Sequence, residues 1–293
     1  MSFDLDRGAR LAGLTAWHAV PRLGPGAPVE RRSRPALFVH GMWEGAWFWE
    51  TWLGYFARRG WEGWAIDLRG HGASRDDSTS GRARLGKHSI HDYLDDARRA
   101  VAALLESHGE MPVIFGHSMG GLLTEKLAEE LDPPAAVAVT PAAPRGFFAV
   151  QTPELARAVL HHMFEILFWR PLDPTRAEAE ALELNRLPPG EQDRAHALMQ
   201  PESGRQAFDV SVVGLPVDRR RIHRPLLLVG AADDRITPAR LVRRVARRLR
   251  AGSRECEYRE YEGHAHMIVF EPGWERVAGE VAEWVERHVP ERS

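Results

Sequence analysis

The sequence predicts an α/β fold: a mostly parallel, twisted sheet with helices on both faces, plus a helical cap. Three observations predict it. Five short apolar runs recur along the 293 residues, stretches of helical period separate them, and the alternation lapses only between about 144 and 216. Short runs that are apolar at every position suit parallel strands buried on both faces, and the stretches between them suit crossover helices.

The elements follow in order. "GLTAWHAVP" (13–21) alternates enough for an antiparallel strand or hairpin at the start. "ALFVHG" (36–41) is the first parallel strand. From about Ala46 a helix is expected, with Trp49, Trp52, Leu53 and Phe56 at i, i+3, i+4 and i+7 on the face toward the sheet. "GWAIDL" (63–68) is the next strand, and a helix over 92–107 follows with Asp92 as N-cap. "PVIFGHS" (112–118) is a strand, a helix follows Ser118, and "AAVAVTP" (135–141) is another strand. Residues 144–216 are helical in pattern and read as a cap inserted into a core made of 1–143 and 217–293. The rhythm resumes with strand "PLLLVGAAD" (225–233) and a helix to Arg250 that has Pro238 in its first turn. "ECEYREY" (255–261) alternates like an edge strand, and the last helix spans 274–288.

Composition narrows the function classes. Net charge is −2, so no overall basic field calls for nucleic acid. The basic stretch "ARLVRRVARRLR" places Leu241, Val242, Val245 and Leu249 at helical spacing, which reads as a surface helix with a solvated arginine face. Cys256 is the single cysteine, which excludes an internal disulfide and a cysteine-rich metal site and suggests a structural thiol. The first residues carry acids and no apolar core, and no uncharged apolar run nears the ~20 residues of a membrane span. A cytoplasmic protein without a membrane partner is the expectation. Nothing in the pattern sets an oligomeric state.

Chemistry concentrates at the strand ends. Gly116-His117-Ser118-Met119-Gly120 is the chain's single G-x-S-x-G, and it joins a buried strand to a helix. An abrupt strand-to-helix turn strains the serine backbone and lifts its oxygen clear of the sheet. The residues two positions either side must lack bulk. A serine hydroxyl needs a base, and the base needs an orienting carboxylate. Downstream, "LLLVG" runs into Asp233 and Asp234, and the edge strand runs into His264 and His266. Upstream, "FVHG" ends a strand at His40-Gly41, followed by a segment holding Trp43, Trp47, Trp49 and Trp52.

"LFVHGMW", "IDLRGHGAS", "GHSMGG", "DDRITP" and "GHAHMIVFEPGW" occur in the order found in the α/β-hydrolase superfamily, which the chain resembles over nearly its whole length. The resemblance implies a Ser118 nucleophile. Asp234, four residues before Pro238, fits the family's acid position, with Asp233 the alternative. His266, five residues before Glu271, fits the base, with His264 the alternative. The backbone N–H groups of Met42 and Met119 would form the oxyanion hole. Of the charged residues in "IDLRGHGAS", Asp67, Arg69 and His71 read as structural, as does His40.

The pocket is expected at Trp43 and at His117, roofed by cap aromatics such as Phe147, Phe164 and Phe168. Phe148 and Trp169 are further candidates, and all could equally be packing. The implied activity is hydrolysis of a small carboxylic ester with a bulky apolar part, with no metal or organic cofactor. The alternatives are hydroxynitrile-lyase-like or cofactor-free oxidoreductase chemistry on the same triad, and a ligand-binding relic. Lyases of that branch use a lysine near the acid loop or the cap, and this chain has none after Lys126.

Overall fold

The computed structural model describes residues 3–22, 31–252 and 255–290. The chain begins with a hairpin, β1 (Phe3–Leu11) and β2 (Leu14–Pro21), turned by Ala12 and Gly13, both at positive φ. Two positive-φ residues twist such a turn in the sense the strands need. There follow β3 (Pro35–Val39), α1 (Glu50–Ala57), β4 (Glu62–Ile66), α2 (Thr79–Leu85), α3 (Ile90–His108), β5 (Val113–His117), α4 (Met119–Leu131) and β6 (Ala136–Val139). The next stretch holds α5 (Pro153–His161), α6 (Met163–Leu167), β7 (Pro171–Leu172), α7 (Arg176–Leu182), α8 (Pro189–Leu198), β8 (Glu202–Ser203) and α9 (Gly204–Phe208). The chain closes with β9 (Leu226–Ala231), α10 (Ala239–Arg250), β10 (Cys256–Tyr261) and α11 (Trp274–His288).

Eight strands form one sheet in the order β1-β2-β4-β3-β5-β6-β9-β10. Every pair from β4 to β10 is parallel; β1 and β2 add antiparallel pairs at one edge. Alternate residues of the buried strands feed opposite cores. Phe38, Phe115, Val137 and Val229 join Trp49, Trp52 and Trp284 of the α1/α11 face. Leu37, Ile114 and Ile66 pack under α3 and α4, and Leu226 and Leu228 pack under α10. The apolar runs are thus two-sided strands, as a parallel sheet requires.

Several boundaries differ from the sequence reading. α3 starts at Ile90, capped by Ser89 in a reciprocal capping box in which Asp92 is the N3 partner, not the cap. The segment after Gly45 is one 3₁₀ turn (Ala46–Trp49) before α1 begins. Pro238 is the N-cap of α10 and not its first helical residue. Residues 144–216 also hold the two-residue strands β7 and β8, paired with each other. No helix among the described residues is long and apolar enough to cross a membrane.

Candidate active site

Ser118 sits between β5 and α4 at φ 51°, ψ −115°, outside the regions open to ordinary L-residues. Crowding explains how the turn is held. A Cβ on Gly116 would collide with the Gly120 carbonyl, and one on Gly120 with the carbonyls of Val39 and His40. The strained serine therefore follows from glycines that let α4 start directly against β3. Ser118 N–H donates to Val139 O and its carbonyl accepts from Ala142 N–H, both at 2.9 Å, so both sides of the turn are fixed.

Asp234 and His266 meet at the ends of the neighbouring strands β9 and β10. His266 Nδ1–H donates to Asp234 Oδ2 at 2.8 Å, and both side chains are buried. Asp234 Oδ1 accepts the N–H groups of Ile236 and Thr237, each at 2.8 Å. Thr237 Oγ1 lies 2.9 Å from Asp234 Oδ2. Burial raises the Asp234 carboxyl, but the His266 imidazole and these hydrogen bonds outweigh it and hold it below the usual carboxylate range. Burial pulls His266 down, yet the Asp234 carboxylate, with Glu183 and Glu44 behind it, holds the imidazole above its ordinary value.

The other candidate acid and base have different partners. Asp233 is partly exposed and bridges to Arg186 in the 144–216 segment. His264 Nδ1 lies 3.4 Å from Glu271, whose carboxylate also accepts the Ala265 N–H at 2.7 Å.

Met42 and Met119 follow Gly41 and Ser118, and both line the same cavity as Ser118. Neither backbone N–H has a protein acceptor among the described residues. Met42 is followed by Trp43 at φ 62°, a second strained non-glycine position facing the elbow. His40 is structural: Leu68 N–H donates to its Nε2 at 3.1 Å, its Nδ1–H donates to Gly41 O at 2.7 Å, and burial pushes it down to about 3.

The cavity has a volume of about 120 Å³. Trp43 lines it, and its Nε1–H donates to Leu172 O at 3.3 Å. The remaining wall is aliphatic rather than aromatic: Ala142, Ala143, Val159, Ile166, Leu172 and Ala207, among others. The expected aromatic roof is corrected. Phe164 on α6 and Phe168 at its C-cap are four residues apart, pack on each other with centroids 4.6 Å apart, and face outward, half-exposed or more. Helical period turns Ile166 inward in their place. Phe148 and Trp169 are likewise exposed. Phe147 packs beside α10, under the Arg248 guanidinium at 5.3 Å.

His117 is corrected as well. It is fully buried behind the elbow, donates from Nε2 to the His266 carbonyl at 2.9 Å, and places Nδ1 2.8 Å from Glu44 Oε1. It tethers the His266 loop and is not among the residues that line the Ser118 cavity.

Glu44, Thr237 and Glu183 escaped the sequence reading. Glu44 is a lone acid in the apolar segment "GMWEGAW", and that isolation is a signal. Asp234 and Thr237 have the spacing of a local side-chain turn. Glu183 lies in a polar helical stretch that hides its burial. The thiol of Cys256 is buried in β10 and pushed up to about 12 by desolvation, so it is inert.

A mostly parallel sheet carrying a strained serine elbow after β5, with an Asp–His pair at the ends of β9 and β10, defines an α/β hydrolase. Within that class, the chain belongs to the serine aminopeptidase S33 family, whose model matches residues 33–273. A methyl jasmonate esterase from Vitis vinifera is 29% identical over 111 residues, 38% of this chain; the match spans only about two fifths, 40%, of that relative's length. A monoacylglycerol lipase from Paleococcus ferrophilus superposes with TM-score 0.67 at 24% identity, over 89% of this chain and 97% of that one. A soluble variant of the Saccharomyces cerevisiae monoglyceride lipase gives TM-score 0.72 at 15% identity over 99% of both chains.

Proposed function

We propose that this protein hydrolyses carboxylic esters through a Ser118–His266–Asp234 triad. The observation that carries the reading is Ser118: a strained, non-glycine elbow that opens into an apolar cavity, with two unengaged backbone N–H groups beside it. The esterase and lipase names of the similar proteins support it.

Ser118 Oγ attacks the ester carbonyl as His266 Nε2 takes its proton. The carbonyl oxygen becomes an oxyanion held by the N–H groups of Met42 and Met119. The tetrahedral adduct collapses, and the imidazolium gives its proton to the departing alkoxide. Water, deprotonated by His266, then attacks the acyl-enzyme, and Ser118 leaves with the proton restored. Asp234 holds the imidazole in the tautomer that presents Nε2. No step requires a metal or organic cofactor. Residues 144–216 act as a cap over this site, supplying Val159, Ile166, Leu172 and Ala207 to its wall.

Wild-type protein and Ser118→Ala should be compared on p-nitrophenyl butanoate, an aminoacyl anilide and a fluorophosphonate probe. The expected outcome is rapid ester cleavage and labelling by wild type, and a loss on the order of 10⁶ in kcat for the variant. Residual ester turnover within tenfold of wild type would remove Ser118 from the mechanism. Anilide cleavage exceeding ester cleavage would make the protein a peptidase.

A further inference from the structure

The junction of α5 and α6 places two imidazoles beside one carboxylate. His161 ends α5, and His162 stands between the two helices. Their ring centroids are 4.6 Å apart. Both rings reach Glu178, in the first turn of α7: His161 Nδ1 is 2.6 Å from Oε1, and His162 Nε2 is 3.1 Å from Oε2. Among the described residues, these form the one group of three in which a ligand atom from each His, Cys, Asp or Glu lies within 4.8 Å of the others.

Helix capping does not call for the imidazoles. Thr175 already serves Glu178 Oε2, donating from its N–H at 3.1 Å and its Oγ–H at 2.7 Å in a capping box. Two ionised rings side by side would also repel each other. As neutral rings, each can turn a lone pair toward the carboxylate by moving its N–H to the other nitrogen. The outer groups suit that tautomer. His162 Nδ1 faces Glu165 Oε2 at 4.0 Å, and a ligating imidazole typically gives its other N–H to such a carboxylate. Burial raises the Glu178 carboxyl, but hydrogen bonds from Thr175 and His161 outweigh it and hold it down to about 2, so it is anionic at neutral pH. His162 and Glu178 are mostly buried, whereas His161 is exposed, which leaves a way in from solvent and room for a water ligand. A tetrahedral ion at about 2.0–2.1 Å from its ligands spaces them about 3.3 Å apart, within reach of small side-chain rotations.

We infer that His161, His162 and Glu178 form a binding site for one divalent transition ion of the zinc class, which ties α5 and α6 to α7. Two imidazoles and a carboxylate suit zinc, cobalt, nickel or copper, whereas magnesium and calcium take oxygen ligands. The tie braces the wall of the Ser118 cavity, which Val159 and His162 line from one side and Leu182 and Glu183 from the other. The ion takes no part in the reaction.

The test titrates zinc chloride into metal-stripped wild type, His161→Ala and Glu178→Gln, by calorimetry and by thermal melting. Wild type should bind one zinc per chain with a Kd of about micromolar or tighter. At a hundredfold excess of zinc over Kd it should melt about 5 °C higher. His161→Ala changes an exposed side chain, so it should fold, bind at least about tenfold more weakly and lose the rise. Glu178→Gln should lose it too. Cobalt(II) chloride should give the visible absorption of a four-coordinate ion in wild type but not in His161→Ala, and magnesium chloride should have no effect.

One tight zinc retained in His161→Ala, or several weak ones indifferent to both substitutions, would place the ion elsewhere and overturn the proposal. Zinc binding without a rise in melting overturns the tie between helices. An equal response to magnesium overturns ligation by nitrogen. None of these readouts needs turnover, so they stand apart from the ester-hydrolase reading.

Discussion

Asp234 uses its acceptor positions fully: Ile236 N–H and Thr237 N–H on one oxygen, Thr237 Oγ1 and His266 Nδ1–H on the other. Asp233, one residue earlier, is turned outward to Arg186. Asp234→Asn should therefore lower kcat by roughly 10³-fold or more, as loss of the orienting acid does in other triads. Asp233→Asn should stay within a few-fold of wild type. Equal small effects on p-nitrophenyl butanoate turnover would place the acid elsewhere. The pH profile gives a second reading of the same pair. In the proposed mechanism the base, His266, must be neutral, so kcat/KM should rise as pH climbs through its pKa. Asp234 raises that pKa, and Asp234→Asn should move the rising limb toward acid while lowering the plateau. A limb that stays put would mean the two side chains do not interact in solution. The choice between Asp233 and Asp234 was legible because the acid's distance to Pro238 is a property of one loop. The roles of His117 and Glu183 were not, since each depends on residues far off in sequence: His117 on His266, and Glu183 on the cavity around it.

The strand–elbow–helix unit of β5 and α4 depends on close backbone approach more than on side-chain packing. Gly120→Ala would press a methyl group against the carbonyls of Val39 and His40, which end the strand bearing the Met42 loop. The expected result is loss of most turnover together with a destabilisation of about 1–3 kcal/mol, typical of overpacking, read by activity and urea melting on the same sample. Full activity at full stability would mean the elbow can relax. The tryptophan segment divides the same way. Trp52 is wholly buried among Phe56, Phe115 and Trp49, so Trp52→Ala should cost about 3–5 kcal/mol and leave relative ester selectivity unchanged. Trp43 forms cavity wall and seam at once, packing with Ile166, Leu172 and Ala207. Trp43→Ala should enlarge a cavity of about 120 Å³ and shift preference from butanoate toward longer acyl chains. An unchanged chain-length profile would return Trp43 to plain packing. Period and run length made every core strand readable within a residue or two, because each is buried on both faces. The helices of 144–216 were readable as helices but not by orientation. α6 is apolar on both sides, so its aromatics could be assigned inward on pattern alone, whereas the structure turns them out.

Across the whole molecule, residues 144–216 are pinned to the core by a buried polar knot. Glu202 of β8 accepts the Tyr93 hydroxyl of α3 and the Ser203 N–H, each at 2.6 Å, and places Oε2 3.4 Å from His71 Nε2. Beside it, Gln200 N–H donates to Trp43 O at 2.8 Å, and Gln200 Oε1 accepts the Gly72 N–H at 2.7 Å. The seam thus ends on the loop that carries Met42 and Trp43, the proposed oxyanion donor and cavity wall. His71 and Glu202 are 131 positions apart, and no local pattern links them, which is why "RGHG" could be read as structural without its partner being named. Burial lowers His71, but Glu202 outweighs it and raises the imidazole above its ordinary 6.5. Burial raises Glu202, but His71, Tyr93 and Ser203 outweigh it and lower the carboxyl below 4.5. The signs follow by linkage. The His71 contribution is complete below its unfolded pKa and fades as pH rises through the higher folded value. The Glu202 contribution is complete above its unfolded pKa and fades as pH falls through the lower folded one. Glu202→Gln should therefore destabilise most between about pH 5 and 6.5, by roughly 3–5 kcal/mol, as for breaking one partner of a buried pair. The gap to wild type should narrow on both flanks, and turnover should fall with it as the Trp43 loop loosens. Urea melts of both proteins across pH 4–9 measure this. A gap that stays constant across that range would show that His71 and Glu202 do not titrate as a pair, and that the seam is held by its other hydrogen bonds, those of Tyr93, Gln200 and Ser203 among them.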